Sequence, residues 1–376
     1  MLAERLSADP ACRVTVVEAG PGPGDTAVRA LTANGLQLPI GAASPVARRY
    51  RTLLTRDSEH PVDIVRGTTV GGSGAVNGGY FCRALPADFA DPALPGWSWA
   101  DVVGHYRAIE TDLDFPDRRD GGPIRIRRAA EFVGSTAIFV EAARAAGFRW
   151  LPDLNAEPVG ENTPPGVGAV PSNIVDGVRS GPGAAFLEPV MNRPNLTVHT
   201  ATRTVRVRLT GTRAVGITAI GPAGAIELGA DRIVLSAGAI ESAHLLMLSG
   251  IGPADDLRAV GVAPIADLPV GRRTSDHPEL VMSTTWTVAP RRPVLEVLLV
   301  DEGLEMRPYT GGFISMVGDG AAGRPDWPHL GVALMRPRAR GRVSLVSADP
   351  AVAPRIEHRY DSEPADVAAL RRGCEL

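Results

Sequence analysis

The run Arg66-Gly67-Thr68-Thr69-Val70-Gly71-Gly72-Ser73-Gly74-Ala75-Val76-Asn77-Gly78-Gly79-Tyr80 gathers glycines, hydroxyls and an amide into one short segment. Glycine accepts positive φ and lets a backbone come close to a bound group. Thr68, Thr69, Ser73 and Asn77 add hydrogen-bonding side chains. Such a segment suits contact with a large, flat, polar ligand; a flexible glycine loop is the plain alternative. Glu18 is a second candidate, at the end of the strand Arg13-Val14-Thr15-Val16-Val17-Glu18. An acid there bonds a ribose hydroxyl in dinucleotide-binding βαβ units, and elsewhere is a solvated strand end. Among the seven histidines, His277 beside Asp276 has the best neighbours for proton transfer. His244 reads as a packed helix residue, and His60, His105, His199, His329 and His358 stand without partner motifs. No metal-ligand spacing such as HxxxH or CxxC occurs, and no GxSxG elbow. Ser73 therefore reads as a loop residue and not as a nucleophile.

Two long motifs carry a resemblance. Residues 66–80 resemble the first signature of the GMC (glucose–methanol–choline) flavin oxidoreductases. The run from Gly238 to Gly252, Gly-Ala-Ile-Glu-Ser-Ala-His-Leu-Leu-Met-Leu-Ser-Gly-Ile-Gly, is similar to the second, departing at Ala243 where the family has Pro or Ser. Asp276-His277-Pro278 is similar to a structural turn of the family, with one residue fewer before it and Ser275 in place of Gln. The resemblance implies FAD, held through Glu18, Arg66, Thr69, Gly71, Gly72, Ser73, Asn77 and Gly78. It places Val205, Ala237 and Gly238 near the adenine half. Some family members attach FAD covalently through a His at the end of the first signature. Gly78-Gly79-Tyr80-Phe81 has none, so non-covalent FAD is expected.

The elements that must position these residues follow from periodicity and punctuation. Residues 1–8 read as the end of a helix, 97–110 and 132–146 as helices, and 240–248 as a helix closed by Ser249-Gly250. Residues 204–209 and 214–220 alternate as hairpin strands. Residues 231–238 read as a buried parallel strand running into a tight turn. Residues 21–60 and 151–183 read as loop-rich. Short strands are expected at 282–288, 312–317, 329–334 and 341–346, within the sheet of a substrate domain, and a helix from about Glu363. The fold class implied is α/β, a Rossmann-like FAD-binding domain with an α+β mixed-sheet substrate domain. Its division is 1–130 (FAD domain with the flavin loop), 131–190 (helix and substrate-side cover), 191–280 (FAD domain, second part) and 281–376 (substrate domain).

Only 17 residues precede Glu18, whereas a G-x-G-x-x-G turn lies roughly 20 residues before such an acid. The first strand and glycine turn are therefore expected to lie before Met1. The family's catalytic His region is expected beyond Leu376, so no catalytic residue is assigned. The implied activity is hydride transfer from a CH–OH donor to flavin N5, by a dehydrogenase passing electrons to an unspecified acceptor. The Asn77-to-Phe81 run is similar to the branch associated with the mycofactocin redox system, so the donor is a small alcohol or a reduced redox cofactor. The alternatives are a truncated non-catalytic remnant that only binds, and an NAD-linked dehydrogenase, which would need its own intact glycine fingerprint.

The bulk properties agree with a folded enzyme. The chain has 376 residues, 44% hydrophobic and 22% charged, with a formal charge of −3. Nucleic acid is not an expected partner at that charge. No apolar run reaches membrane-spanning length. Cys12, Cys82 and Cys374 form no pattern, which fits free thiols in a reducing compartment. A cytoplasmic location is expected, with attachment at the membrane periphery as a variant.

Overall fold

The computed structural model describes every residue except 58, 92, 117–120, 157–162, 287–290 and 318–325. Its largest sheet has six strands in the order Glu279–Ser283, Pro328–Leu334, Leu304–Gly312, Val297–Asp301, Gly166–Ala169, Trp150–Leu151. All its neighbours pair antiparallel except the last two, which are parallel. Successive side chains on a strand face opposite sides, so the sheet sorts its residues. Val297, Leu299, Leu304, Met306, Val332 and Leu334 turn one way and meet Phe139, Val140 and Ala143 of the helix Ser135–Ala145 and Leu370 of the helix Pro364–Glu375. The intervening residues, among them Leu298 and Glu305, face the other way, where Tyr80 and Cys82 pack.

A second sheet joins Arg342–Ser344, Arg355–Glu357, Ala47–Leu53 and Val62–Gly67. A third is the meander Arg203–Thr210, Arg213–Gly221, Gly224–Gly229. Val14–Val17 pairs parallel with Leu196–His199. This is the mixed α/β content that the sequence implies.

Several helices form where their ends are marked. Ser98 accepts from Asp101 N–H while the Asp101 carboxylate accepts from Ser98 N–H, a reciprocal cap for Trp99–Ile109. The helix Ser135–Ala145 is followed by Gly147 at φ 91°. The hairpin strands and the final helix also stand where expected.

Four expectations are corrected. Residues 231–237 form no strand, and Val234 is 60% exposed. A buried parallel strand needs ladder partners, and no described strand pairs with this segment. Residues 313–317 coil into a helical turn after the strand Leu304–Gly312, because Asp326 Oδ1 accepts from Ile314 N–H (3.0 Å). Arg342–Ser344 joins the second sheet and not the substrate sheet. A Cβ on Gly341 would lie 2.2 Å from the Glu357 carbonyl oxygen, so glycine permits that approach. The stretches read as loops contain structure: the helix Thr26–Ala33 capped by Asp25, the strand Ala47–Leu53, and the strand Gly166–Ala169, which is wholly buried. Part of the expected 282–288 strand lies outside the described residues; the strand there runs Glu279–Ser283.

Phe139 is the large side chain that the helix Ser135–Ala145 sets into the sheet. Phe139→Ala should cost about 3–5 kcal/mol in urea denaturation. A loss below about 1 kcal/mol would show that helix and sheet do not share one packed core.

Candidate functional site

The first signature begins at the end of the strand Val62–Gly67 and tightens into a short 3-10 turn, Gly72–Ala75. Thr69 is buried and turns inward, donating Oγ1–H to the Pro21 carbonyl (2.8 Å). Ser73 Oγ accepts from Gly67 N–H (3.0 Å), and Asn77 Oδ1 accepts from Gly79 N–H (3.0 Å). The side chains first read as ligand contacts thus also hold the loop's own shape.

Its glycines divide into two kinds. A Cβ on Gly71 would lie 2.9 Å from Gly183 N, and one on Gly74 2.7 Å from Pro182, so these are packing glycines. Gly72 (φ 56°) and Gly238 (φ 81°) would project a Cβ into open space. There the requirement is the backbone conformation and the open side, not a protein neighbour.

Glu18 directly follows the strand Val14–Val17. Its carboxylate is half-buried and accepts from Gly20 N–H (2.8 Å). Burial raises its pKa against the pull of the Gly20 and Ala19 amides. Gly20 brings this strand end against the first signature, where a Cβ would stand 1.7 Å from the Thr68 carbonyl oxygen. Glu18 and the glycine loop are therefore brought together.

Val205 sits at a β-bulge, because the register skips between Thr204 and Arg206. Bulges re-aim a side chain. Ala237 caps the helix Gly238–Leu248, and both it and Gly238 are exposed. The chain links these positions to Glu18: Thr202 N–H donates to the Glu18 carbonyl (2.9 Å), and the adjoining Arg203 lies 3.7 Å from Glu241 in the helix's first turn.

Glu241 is a junction that the sequence reading did not single out. It meets Arg48 (3.0 Å), the Tyr50 hydroxyl (2.8 Å), His244 Nδ1 (3.4 Å) and Arg203. Burial alone would raise its pKa; the hydrogen bonds from His244 and Tyr50 and the Arg48 charge outweigh it and hold the pKa at about 2. One carboxylate thus ties the second signature to the second sheet and to the meander. Its place inside the second signature was the available signal, whereas its partners come from unrelated segments.

Arg66 pairs with Asp276 (3.1 Å), joining the first signature to the Asp276-His277-Pro278 turn. His277 is exposed and contributes its backbone N–H to Asp276 (3.0 Å), as suits a structural turn. His358 is buried, and burial lowers its pKa, opposed by Asp276. No metal-binding group of three or more ligands occurs among the described residues.

FAD fits these residues. The open backbone at Gly72 and Gly238, the half-buried Glu18, and the Gly78 N–H, which has no acceptor among the described residues, form polar surface that the protein does not itself fill. The 11-residue helix Gly238–Leu248 adds amides at its exposed N-terminus, where an anionic group is favoured.

Comparison with known proteins decides the family. The family model described as GMC oxidoreductase matches residues 32–279, and its C-terminal counterpart matches 337–376. The chain belongs to the GMC oxidoreductase family. It is 38% identical to an uncharacterized GMC-type oxidoreductase of Rhodococcus erythropolis, over all of this chain and 76% of that protein. It is 28% identical to mitochondrial choline dehydrogenase of Mus musculus, over all of this chain and 70% of that protein. The solved pyridoxine 4-oxidase of Mesorbium loti superposes with a TM-score of 0.86 at 28% identity, covering all of this chain and 76% of that one. The GMC fold is a Rossmann-like FAD-binding domain with a substrate domain, and the class is that of FAD-dependent oxidoreductases acting on CH–OH donors. No helix among the described residues is long and apolar enough to cross a membrane.

Glu241→Gln tests the junction. A carboxylate with a depressed pKa stabilises the fold above its ordinary range near 4.5, and that stability is lost as pH falls through about 2. The variant should therefore unfold at lower urea than wild type at pH 7, with the gap narrowing towards pH 3. An equal gap at both pH values would mean that the charge is not what the junction uses.

Proposed function

We propose that this chain is a GMC dehydrogenase that oxidises a small alcohol on non-covalently bound FAD and passes the electrons to a separate acceptor. One observation carries the reading. The loop with Gly72, Asn77 and Gly78 runs straight into Tyr80, whose hydroxyl donates to Glu305 (2.7 Å) on the face of the six-stranded sheet opposite the helices Ser135–Ala145 and Pro364–Glu375. Cofactor loop and donor-side wall are thereby bolted edge to edge.

That wall is polar and internally paired. Arg307 meets Glu305 (2.6 Å) and Glu279 (3.0 Å), and Tyr309 donates to Glu279 (2.7 Å). Burial keeps the Tyr80 and Tyr309 phenols protonated far above neutral pH. Two carboxylates around one guanidinium leave one formal negative charge, which disfavours an anionic donor. FAD, when bound, supplies the hydride acceptor at N5. The chain's part is to hold the cofactor through Glu18, Arg66, Thr69, Gly71, Gly72, Ser73, Asn77, Gly78, Val205, Ala237 and Gly238, and to orient the donor at the Tyr80 edge.

The similarity to choline dehydrogenase and pyridoxine 4-oxidase supports an alcohol as donor. The Asn77-Gly78-Gly79-Tyr80-Phe81 run supports a place in the mycofactocin redox system, with a reduced peptide-derived cofactor as the other donor considered. The lack of a His from Asn77 to Phe81 supports non-covalent attachment.

Purification with excess FAD should give a flavin absorption spectrum, and acid precipitation should release all the flavin into solution. Anaerobic addition of neutral alcohols should bleach the spectrum, and carboxylate-bearing alcohols should do so less well. A dye acceptor should restore colour faster than air. A well-folded protein that binds no FAD would overturn the reading. Tyr80→Phe, which removes the bond to Glu305, should slow bleaching about tenfold while FAD stays bound. An unchanged rate would mean that this edge does not position the donor.

A further inference from the structure

Arg179 is buried to 2% exposure, and its guanidinium meets no carboxylate among the described residues. It donates to backbone oxygens alone: Nε–H to Asn77 (2.9 Å), Nη1 to Thr32 (2.8 Å) and Ala75 (3.4 Å), and Nη2 to Gln37 (2.8 Å). Burial pulls its pKa down to about 10, which leaves it charged at neutral pH. A buried cation is costly unless something compensates it. Arg307, the other buried arginine among the described residues, pairs with Glu305 and Glu279.

Two of the carbonyls it holds, Ala75 and Asn77, belong to the glycine loop; Thr32 and Gln37 belong to the helix Thr26–Ala33 and the segment after it. A trans peptide sets its N–H opposite its C=O. With the Asn77 oxygen fixed on Arg179, the Gly78 N–H points to the far side of the loop. No described residue accepts it. The Asn77 side chain pins the next amide, Gly79 N–H (3.0 Å), so the peptide cannot easily flip. A cation on the oxygen also polarises the amide and strengthens its donor end.

We propose that Arg179 is a positioning residue for the flavin: it aims the Gly78 N–H at the cofactor and places behind that contact a positive charge that no carboxylate among the described residues pairs with. The charge favours the negative charge that reduction puts on the flavin. This rests on the reading that Asn77 and Gly78 line the FAD site.

The test uses the FAD-loaded full chain and reads the flavin, not turnover. Three quantities are measured for wild type, Arg179→Lys and Arg179→Met: the midpoint potential by dye equilibration, the affinity for sulfite at the flavin, and the FAD dissociation constant. Wild-type chain should hold FAD at a potential above that of free FAD and bind sulfite. Arg179→Met should lower the potential and weaken sulfite binding by about tenfold or more, the scale of one nearby charge. Arg179→Lys should keep most of both, because it keeps the charge. An Arg179→Met protein that binds FAD with unchanged potential and sulfite affinity would overturn the proposal and leave a structural brace. If Arg179→Met does not fold, Arg179→Lys and wild type decide: a wild-type potential no higher than that of free FAD, without sulfite binding, overturns it. Wild-type chain that binds no FAD overturns both this proposal and the functional reading.

Discussion

Backbone-to-backbone approach at glycine is the constraint on which the rest of this structure depends. At Gly20 the turn after the first strand lies so near Thr68 that a Cβ would fall 1.7 Å from its carbonyl oxygen. Gly71 and Gly74 press against the segment Pro182-Gly183, where a Cβ would fall 2.9 Å from Gly183 N and 2.7 Å from the Pro182 ring. Gly79 packs on Ile174. The loop from Gly67 to Gly79 is thus wedged on several sides, by backbone at Gly20 and Gly183 and by the side chains of Pro182 and Ile174. Side chains would force these contacts apart, and interiors do not absorb such changes cheaply. Rigidity on the protein side leaves Gly72 facing open space and the Gly78 N–H without an acceptor among the described residues, both in a defined orientation.

Charge holds what packing brings together. Downstream of the loop, Arg83 pairs with Glu110 while its own N–H reaches Asn155 (2.8 Å), and Asn155 reaches back to the Phe81 carbonyl (3.0 Å). Arg128 gathers Asp112 and Asp153 beside them. These pairs are almost wholly buried, so removing one partner would strand a charge in the interior. Their effect is to clamp Tyr80–Arg83 onto the sheet face, where Tyr80 meets Glu305 and Cys82 packs beside Tyr80. The Cys82 thiol is pushed up to about 12 by burial, which keeps it protonated and unreactive. Glu241 and the Arg66–Asp276 pair do the equivalent work on the other side of the loop.

Local chemistry in the sequence was enough for the family, the cofactor and many of the elements. Residues 66–80 and 238–252 are runs whose backbone needs are written in glycine, so the chain order alone displays them. Ser98 with Asp101, and Gly147 after the helix that precedes it, mark helix ends by contacts within a few residues. The hairpin of 204–209 and 214–220 follows from period-two alternation and a turn at Gly211, whereas the third strand Gly224–Gly229 was not read from the sequence. All of these depend on neighbours close in sequence, and such information survives without a fold.

Tertiary structure decided the partnerships. Tyr80 meets Glu305 across 225 residues and Tyr50 meets Glu241 across 191, separations that no local pattern encodes. Arg179 looked like one more arginine between Val178 and Ser180 until the fold wrapped four carbonyls around it. The strand Gly166–Ala169, read as loop from its glycines, became sheet because Val297–Asp301 supplies a ladder and burial on both faces. The opposite happened at 231–237, where a strand-like composition found no partner and stayed exposed. Strand identity is a property of a pair, and a buried charge is a property of its surroundings. Glycine's freedom belongs to one residue and is legible in the chain; pairing belongs to residues that only folding brings within reach.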